Sequence, residues 1–312
     1  LRVDEHVALG AHPQPAVKVD VASLVEDRPA KELGAVQLLH RVVSGIATLR
    51  RGQRRSATLL VVATMSCATP RVVGPKPVPA PLTQKPFATP APDRELETLS
   101  LPVDGFLPAV LVLPATTTPR PLLVVAHGAG DKPEWQCEWW SAALGSRAVV
   151  LCLRGSAMYP RKADSGFYFR DHHALGQELV AALRAVERHR DRIEEGPPVF
   201  AGYSQGAIMG AIVAQDLAPL FSRLILIEGG YDEWNVANAK RLAKADAPRV
   251  LFACGQVYCA DRARKSMQWL ARAGVKVRLE HAPRGGHTYA GAVGQQVQSA
   301  FAWVIEGDAR WR

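Results

Sequence analysis

The chain has 312 residues, 48% hydrophobic and 21% charged. That balance supports a sizeable buried core and excludes disorder along the whole length. The net charge is +9, from 38 Lys and Arg against 29 Asp and Glu, but these cations are spread out. No RNA- or DNA-binding motif accompanies them, so nucleic acid is not an expected partner. No apolar run reaches the roughly 18 residues that span a bilayer. None of the five cysteines stands in a CxxC pair, which removes the usual zinc spacing.

In chain order, residues 1–49 come first and are given no function, although Leu33, Val36, Leu39 and Val43 recur at helical spacing. Residues 50–67 read as an export signal. Arg50, Arg51, Arg54 and Arg55 precede a short, nearly uncharged run from Ala57 to Ser66, the basic-then-apolar order of such signals. The run ends Thr64-Met65-Ser66-Cys67, which resembles a bacterial lipoprotein signal. That resemblance implies an acylated Cys67, a lipid anchor and a place in the cell envelope, and it departs from the usual pattern at Thr64, where Leu is common. The alternative is a short buried helix or strand. An export signal normally opens a chain, and this one starts with Leu1. The expectation is therefore that translation begins nearer residue 49 and that 1–49 is an extension foreign to the native protein. Residues 68–98 carry prolines at 70, 75, 77, 79, 81, 86, 90 and 92 and read as an extended tether, reaching about 90 Å at ~3.1 Å per residue.

From residue 99 to 312 apolar strand runs alternate with helices. Strands are expected at Leu107–Leu113, Leu122–Ala126, Ala148–Leu153, Val199–Gly202, Leu224–Ile227, Val250–Ala253 and Val275–Glu280. Helices are expected at Glu134–Leu144, Asp171–Glu194, Gln205–Leu217, Asn235–Ala245, Asp261–Ala273 and Val293–Val304. This alternation predicts a mostly parallel sheet covered on both faces, with ligands at the carboxyl ends of its strands.

Three motifs fall at those ends. Gly202-Tyr203-Ser204-Gln205-Gly206 matches G-x-S-x-G on a strand–turn–helix, the sharp turn that presents a serine Oγ above a sheet. A serine hydroxyl needs a neighbouring base, and His287 stands in Arg284-Gly285-Gly286-His287-Thr288, between the last strand and the last helix. His127-Gly128-Ala129-Gly130 directly follows the strand Leu122–Ala126, where small residues bring backbone N–H groups close to a ligand. His281 competes with His287 but lies at a strand end. His6, His12, His40, His172, His173 and His189 have no comparable context.

Together these motifs make residues 100–308 resemble the α/β-hydrolases, within them the compact carboxylesterase and dienelactone-hydrolase-like branch. The resemblance implies an α/β-hydrolase fold, with Ser204 as nucleophile, His287 as base, and Ala129 and Gln205 as N–H donors of an oxyanion hole. In it His127 supports the loop and is not the base. The acid is expected after the strand Val250–Ala253, yet the family's Gly-x-x-Asp pattern fails because Gly255 is followed by Gln256, Val257 and Tyr258. Asp261 arrives three residues late and is the favoured acid. Asp232 is the alternative, and Glu228 stands third. About 22 residues separate the strands Leu224–Ile227 and Val250–Ala253, too few for a large lid, which suits small or polymer-linked acyl esters. Tyr203, Trp135 and Trp234 are the candidate substrate contacts, with Trp139 and Trp140 as further candidates for pocket or core. No metal or cofactor is implied, and nothing in the sequence points to an oligomeric state. Rivals are a peptidase or amidase on the same fold and a non-catalytic binding protein. With Cys67 acylated, export makes disulfides available. Cys254–Cys259 and Cys137–Cys152 would use the other four cysteines, against four buried thiols as the alternative.

Overall fold

A computed structural model describes residues 96–162, 164–218 and 220–311. The segment 1–49, the signal over 50–67 with Cys67, and the proline-rich stretch to residue 95 lie outside the described residues. Residues 96–98, expected in the tether, are part of the first strand.

Ten strands run in chain order among the described residues: β1 (Leu96–Leu101), β2 (Ala109–Pro114), β3 (Leu122–Ala126), β4 (Val149–Cys152), β5 (Ser156–Ala157), β6 (Phe167–Tyr168), β7 (Val199–Tyr203), β8 (Arg223–Ile227), β9 (Arg249–Cys254) and β10 (Lys276–His281). The helices are α1 (Pro133–Leu144), α2 (His172–Val186), α3 (Gln205–Asp216), α4 (Val236–Leu242), α5 (Val257–Arg272) and α6 (Gly291–Val304). Eight strands form one sheet in the order β1-β2-β4-β3-β7-β8-β9-β10. β1 and β2 are antiparallel, and every pairing from β4 through β10 is parallel. β5 and β6 make a separate two-stranded ribbon.

The central strands are buried on both faces, and their side chains alternate between two cores. Leu224 and Leu226 of β8 join a core under α2, α3, α4 and α5, while Ile225 and Ile227 join one under α1 and α6. Each such side chain contributes about 1.5–3 kcal/mol on burial, so a one-residue slip of β8 would exchange both cores at once. At the amino ends of the strands two buried arginines grip the end of α6. Arg223 donates to the Val304 carbonyl at 2.7 Å and Arg249 to that of Trp303 at 3.0 Å, satisfying carbonyls that a helix end leaves open.

Several elements differ from expectation. β1 is a half-exposed edge strand whose LETLSL sequence lacks a continuous apolar run. The helix expected over Asp171–Glu194 stops at Val186, because Glu187–Arg192 is wholly charged or polar and continues as a 3₁₀ turn. Helix α5 starts at Val257, four residues ahead of the expected Asp261. Only α4 stands between β8 and β9, so that interval carries no large lid. Among the described residues no helix is long and apolar enough to cross a membrane.

Candidate functional site

The turn between β7 and α3 is built around contacts that only glycine permits. A Cβ on Gly206 would lie 2.2 Å from the Ala126 carbonyl oxygen, and one on Gly202 would lie 2.6 Å from that of Gly206. The close approach lets Gly206 donate to the His127 carbonyl at 3.1 Å while Ser204 donates to that of Ile227 at 2.9 Å. Held from both sides, Ser204 takes φ 49° and ψ −113°, a conformation that side-chain-bearing residues rarely adopt. It stands at the carboxyl edge of the sheet.

His287 comes to it from the loop between β10 and α6. Its Nε2 is 2.8 Å from Ser204 Oγ, and its Nδ1 is 3.3 Å from Glu228 Oε2. A carboxylate only accepts hydrogen bonds, so Nδ1 carries the proton and Nε2 is free to accept from the Ser204 hydroxyl. Tyr203 braces this loop: its hydroxyl donates to the His287 carbonyl at 2.9 Å. Burial, with Asp131 and Glu228 nearby, pushes its phenol up to about 12, so it stays a donor.

The carboxylate at His287 is that of Glu228, which corrects the expectation of Asp261 or Asp232. Glu228 follows the last residue of β8 at φ 52°, its side chain wholly buried. Its Oε1 accepts from the backbone N–H of Gly255 and, at 3.2 Å, from that of Gln256. Asp261 is instead carried into the second turn of α5 and is exposed, paired with Arg264 at 2.7 Å. Asp232 is exposed too and pairs with Arg262 at 2.5 Å. The signal that marks Glu228 is its place between the apolar Leu224–Ile227 run and Gly229-Gly230. An acid there has no solvent and must find partners inside.

The other flank of Ser204 is the loop 127–131. The N–H groups of Gly130 and Asp131 are engaged, by the Phe167 carbonyl at 2.8 Å and the Gly128 carbonyl at 3.2 Å. Ala129 lies just before them. Gln205 is the first residue of α3, where a helix leaves its N–H groups without intrahelical partners. The Gln205 side-chain oxygen accepts from the Phe169 N–H at 2.8 Å. His127 is buried beneath the loop, its ring nitrogens 2.7 Å from the Gly128 carbonyl and 2.8 Å from that of Arg154. Burial lowers its pKa despite those two acceptors. The β5–β6 ribbon, too short to leave an apolar run in the sequence, pairs with the loop through Asp131 and Phe167. Behind it buried Glu178 accepts from the N–H groups of Arg154 at 2.7 Å and Gly155 at 3.0 Å.

The aromatic candidates divide. Tyr203 lies at the site, its ring 5.4 Å from that of His287. Trp135 is half exposed at the start of α1, under the Lys132 ammonium. Trp234 is a correction: it is 5% exposed, packed into the core, with its indole N–H donating to the Gly230 carbonyl at 2.8 Å. Its place right after Asp232 and Glu233 gave no hint that the chain turns it inward. Trp140 fills the core, and Trp139 packs against Tyr289 at the α6 end. His281 closes β10 and is not at Ser204. Two disulfides form, Cys137–Cys152 between α1 and β4 and Cys254–Cys259 between β9 and α5.

No family model and no curated protein matches the sequence. Solved structures do. A protein of Thermus thermophilus, TT1662, superposes with a TM-score of 0.53 at 14% identity, over 68% of this chain and 99% of its own. A thermostable carboxyl esterase of Bacillus coagulans, solved with glycerol, superposes with a TM-score of 0.52 at 12% identity, over 68% and 98%. The mostly parallel eight-stranded sheet, wrapped by helices on both faces, with a strained serine turn after β7, is the α/β-hydrolase fold.

Proposed function

We propose that the protein is a serine hydrolase of carboxylic esters. The observation that carries this reading is the chain of contacts from Ser204 through His287 to Glu228. Ser204 Oγ attacks the ester carbonyl as its proton passes to His287 Nε2, and Glu228 holds the ring and stabilises the imidazolium. The N–H groups of Ala129 and Gln205 receive the carbonyl oxygen as it becomes negative, each worth about 3–4 kcal/mol. The protonated His287 then releases the alcohol, and the same ring activates the water that frees the acid. The short β8–β9 interval favours small or polymer-linked acyl esters over long-chain lipids, and the carboxyl esterase among the structural neighbours supports ester chemistry.

Labelling by a fluorophosphonate, which needs an activated serine and no knowledge of substrate, tests the reading. The expected adduct is on Ser204 and disappears in His287→Ala. A folded protein that takes no label returns the weight to a non-catalytic binding protein. We further propose export, with lipid on Cys67 holding the enzyme in the cell envelope. The paired cysteines agree with an oxidising compartment. Fractionation and acyl labelling of a Cys67→Ala variant test this: the variant is expected in the soluble fraction without label.

A further inference from the structure

We propose that the Cys254–Cys259 disulfide is a positioning element for Glu228 and, through it, for His287; this rests on the hydrolase reading. The two residues that link β9 to α5 are Gly255 and Gln256, and their N–H groups are the ones that hold Glu228 Oε1. The cysteines bracket that link. Cys254 ends β9 and Cys259 lies in the first turn of α5. Both sulfurs and a Glu228 carboxylate oxygen, all buried, lie within 4.8 Å of one another.

The same link touches the loop that presents His287. The Cys254 carbonyl accepts from Ala282, the first residue of that loop, at 2.8 Å. A Cβ on Gly255 would lie 2.3 Å from the Gly286 carbonyl oxygen. The turn 255–256 is thus wedged between the acid and the base, and the disulfide determines how far it can open.

A purely stabilising role suits this bridge poorly. It closes a separation of 5 residues against 15 for Cys137–Cys152, and a shorter loop restricts the unfolded chain less. The bridge nearer the chemistry is therefore the one with less to give to folding.

The test compares Cys254→Ala/Cys259→Ala with Cys137→Ala/Cys152→Ala, each in the native and the Glu228→Gln background, on a short-chain nitrophenyl ester. A displacement of about 1 Å costs on the order of 100-fold. Removal of Cys254–Cys259 is expected to lower kcat about 10–100-fold, with KM changed less than about twofold. In Glu228→Gln the same removal is expected to cost little more, because the bridge acts through that residue. Removal of Cys137–Cys152 is expected to spare kcat. With Glu228 in place, the downfield proton resonance of His287 Nδ1–H is expected to disappear on removal of the 254–259 bridge and to persist on removal of Cys137–Cys152. An unchanged kcat, an equal loss in both backgrounds, or a retained resonance would overturn the proposal. Should the double alanine variant not fold, Cys254→Val/Cys259→Ala keeps the volume and is read the same way. A native protein that neither turns over esters nor labels at Ser204 defeats the hydrolase reading alone, since the resonance still reports whether the bridge holds Glu228 to His287.

Discussion

The two flanks of Ser204 are held by the same device in different settings. On each a wholly or nearly buried glutamate accepts two consecutive backbone N–H groups of a loop that follows a strand. Glu178 takes those of Arg154 and Gly155 after β4, and Glu228 those of Gly255 and Gln256 after β9. Glu178 spends both oxygens on that loop, since Gly155 also reaches its second one at 3.0 Å. Burial raises its pKa while the two N–H groups oppose the rise. Glu228 keeps Oε2 for His287. One buried acid therefore holds only the loop after β4 in place, and the other both holds its loop and faces His287. Burial and N–H contacts are common to the two carboxylates; what separates them is the oxygen that Glu228 turns to His287.

Substitutions can break this comparison. The largest effect is expected at Glu228: under the proposed mechanism Glu228→Gln should lower kcat about 10⁴-fold, the scale of loss on removing the acid of a serine triad. Asp261→Asn and Asp232→Asn should each stay within about twofold of the native kcat, and steady-state kinetics on one ester separates the three. A result in which Asp261→Asn matched Glu228→Gln would reverse the assignment. On the other flank, Glu178→Ala leaves the part-buried N–H groups of Arg154 and Gly155 without their acceptor and should cost about 2 kcal/mol of stability in urea denaturation. It should also loosen the Arg154 carbonyl beneath His127.

The smallest effect lies just outside the site, at the cap of α2. Asp171 accepts from the Ala174 N–H at 2.8 Å, which holds its carboxyl below the ordinary value of 3.8. A depressed folded-state pKa means that the stabilisation is present above the ordinary value and is lost as pH falls through the folded one. Asp171→Ala should cost about 1 kcal/mol at neutral pH, and its melting curve should converge on that of the native protein in acid.

The sheet, its helices and the G-x-S-x-G turn were legible because apolar runs and glycines mark them locally. His287 was legible because a loop of two glycines placed it between the last strand and the last helix. Glu228 ranks only third in the sequence because its place beside His287 comes from tertiary register. β8 lies between β7 and β9, so the residue after its end meets both His287 and the turn at Gly255, and no spacing in the chain records that. The early start of α5 hid in the same way. Two residues suffice to link β9 to α5, which carries Asp261 into a helix and away from His287. Trp234 and the β5–β6 ribbon depend likewise on partners distant in sequence.

The backbone at Ser204 has a consequence for folding as well as for chemistry. A residue held at φ 49° and ψ −113° costs on the order of 1–3 kcal/mol relative to a relaxed one, and glycine escapes most of that cost. Ser204→Gly should therefore melt at a higher temperature than Ser204→Ala, although neither turns over. If so, stability and activity pull this turn in opposite directions. A selection for thermal robustness alone would drift toward glycine at the position on which the proposed reaction depends most.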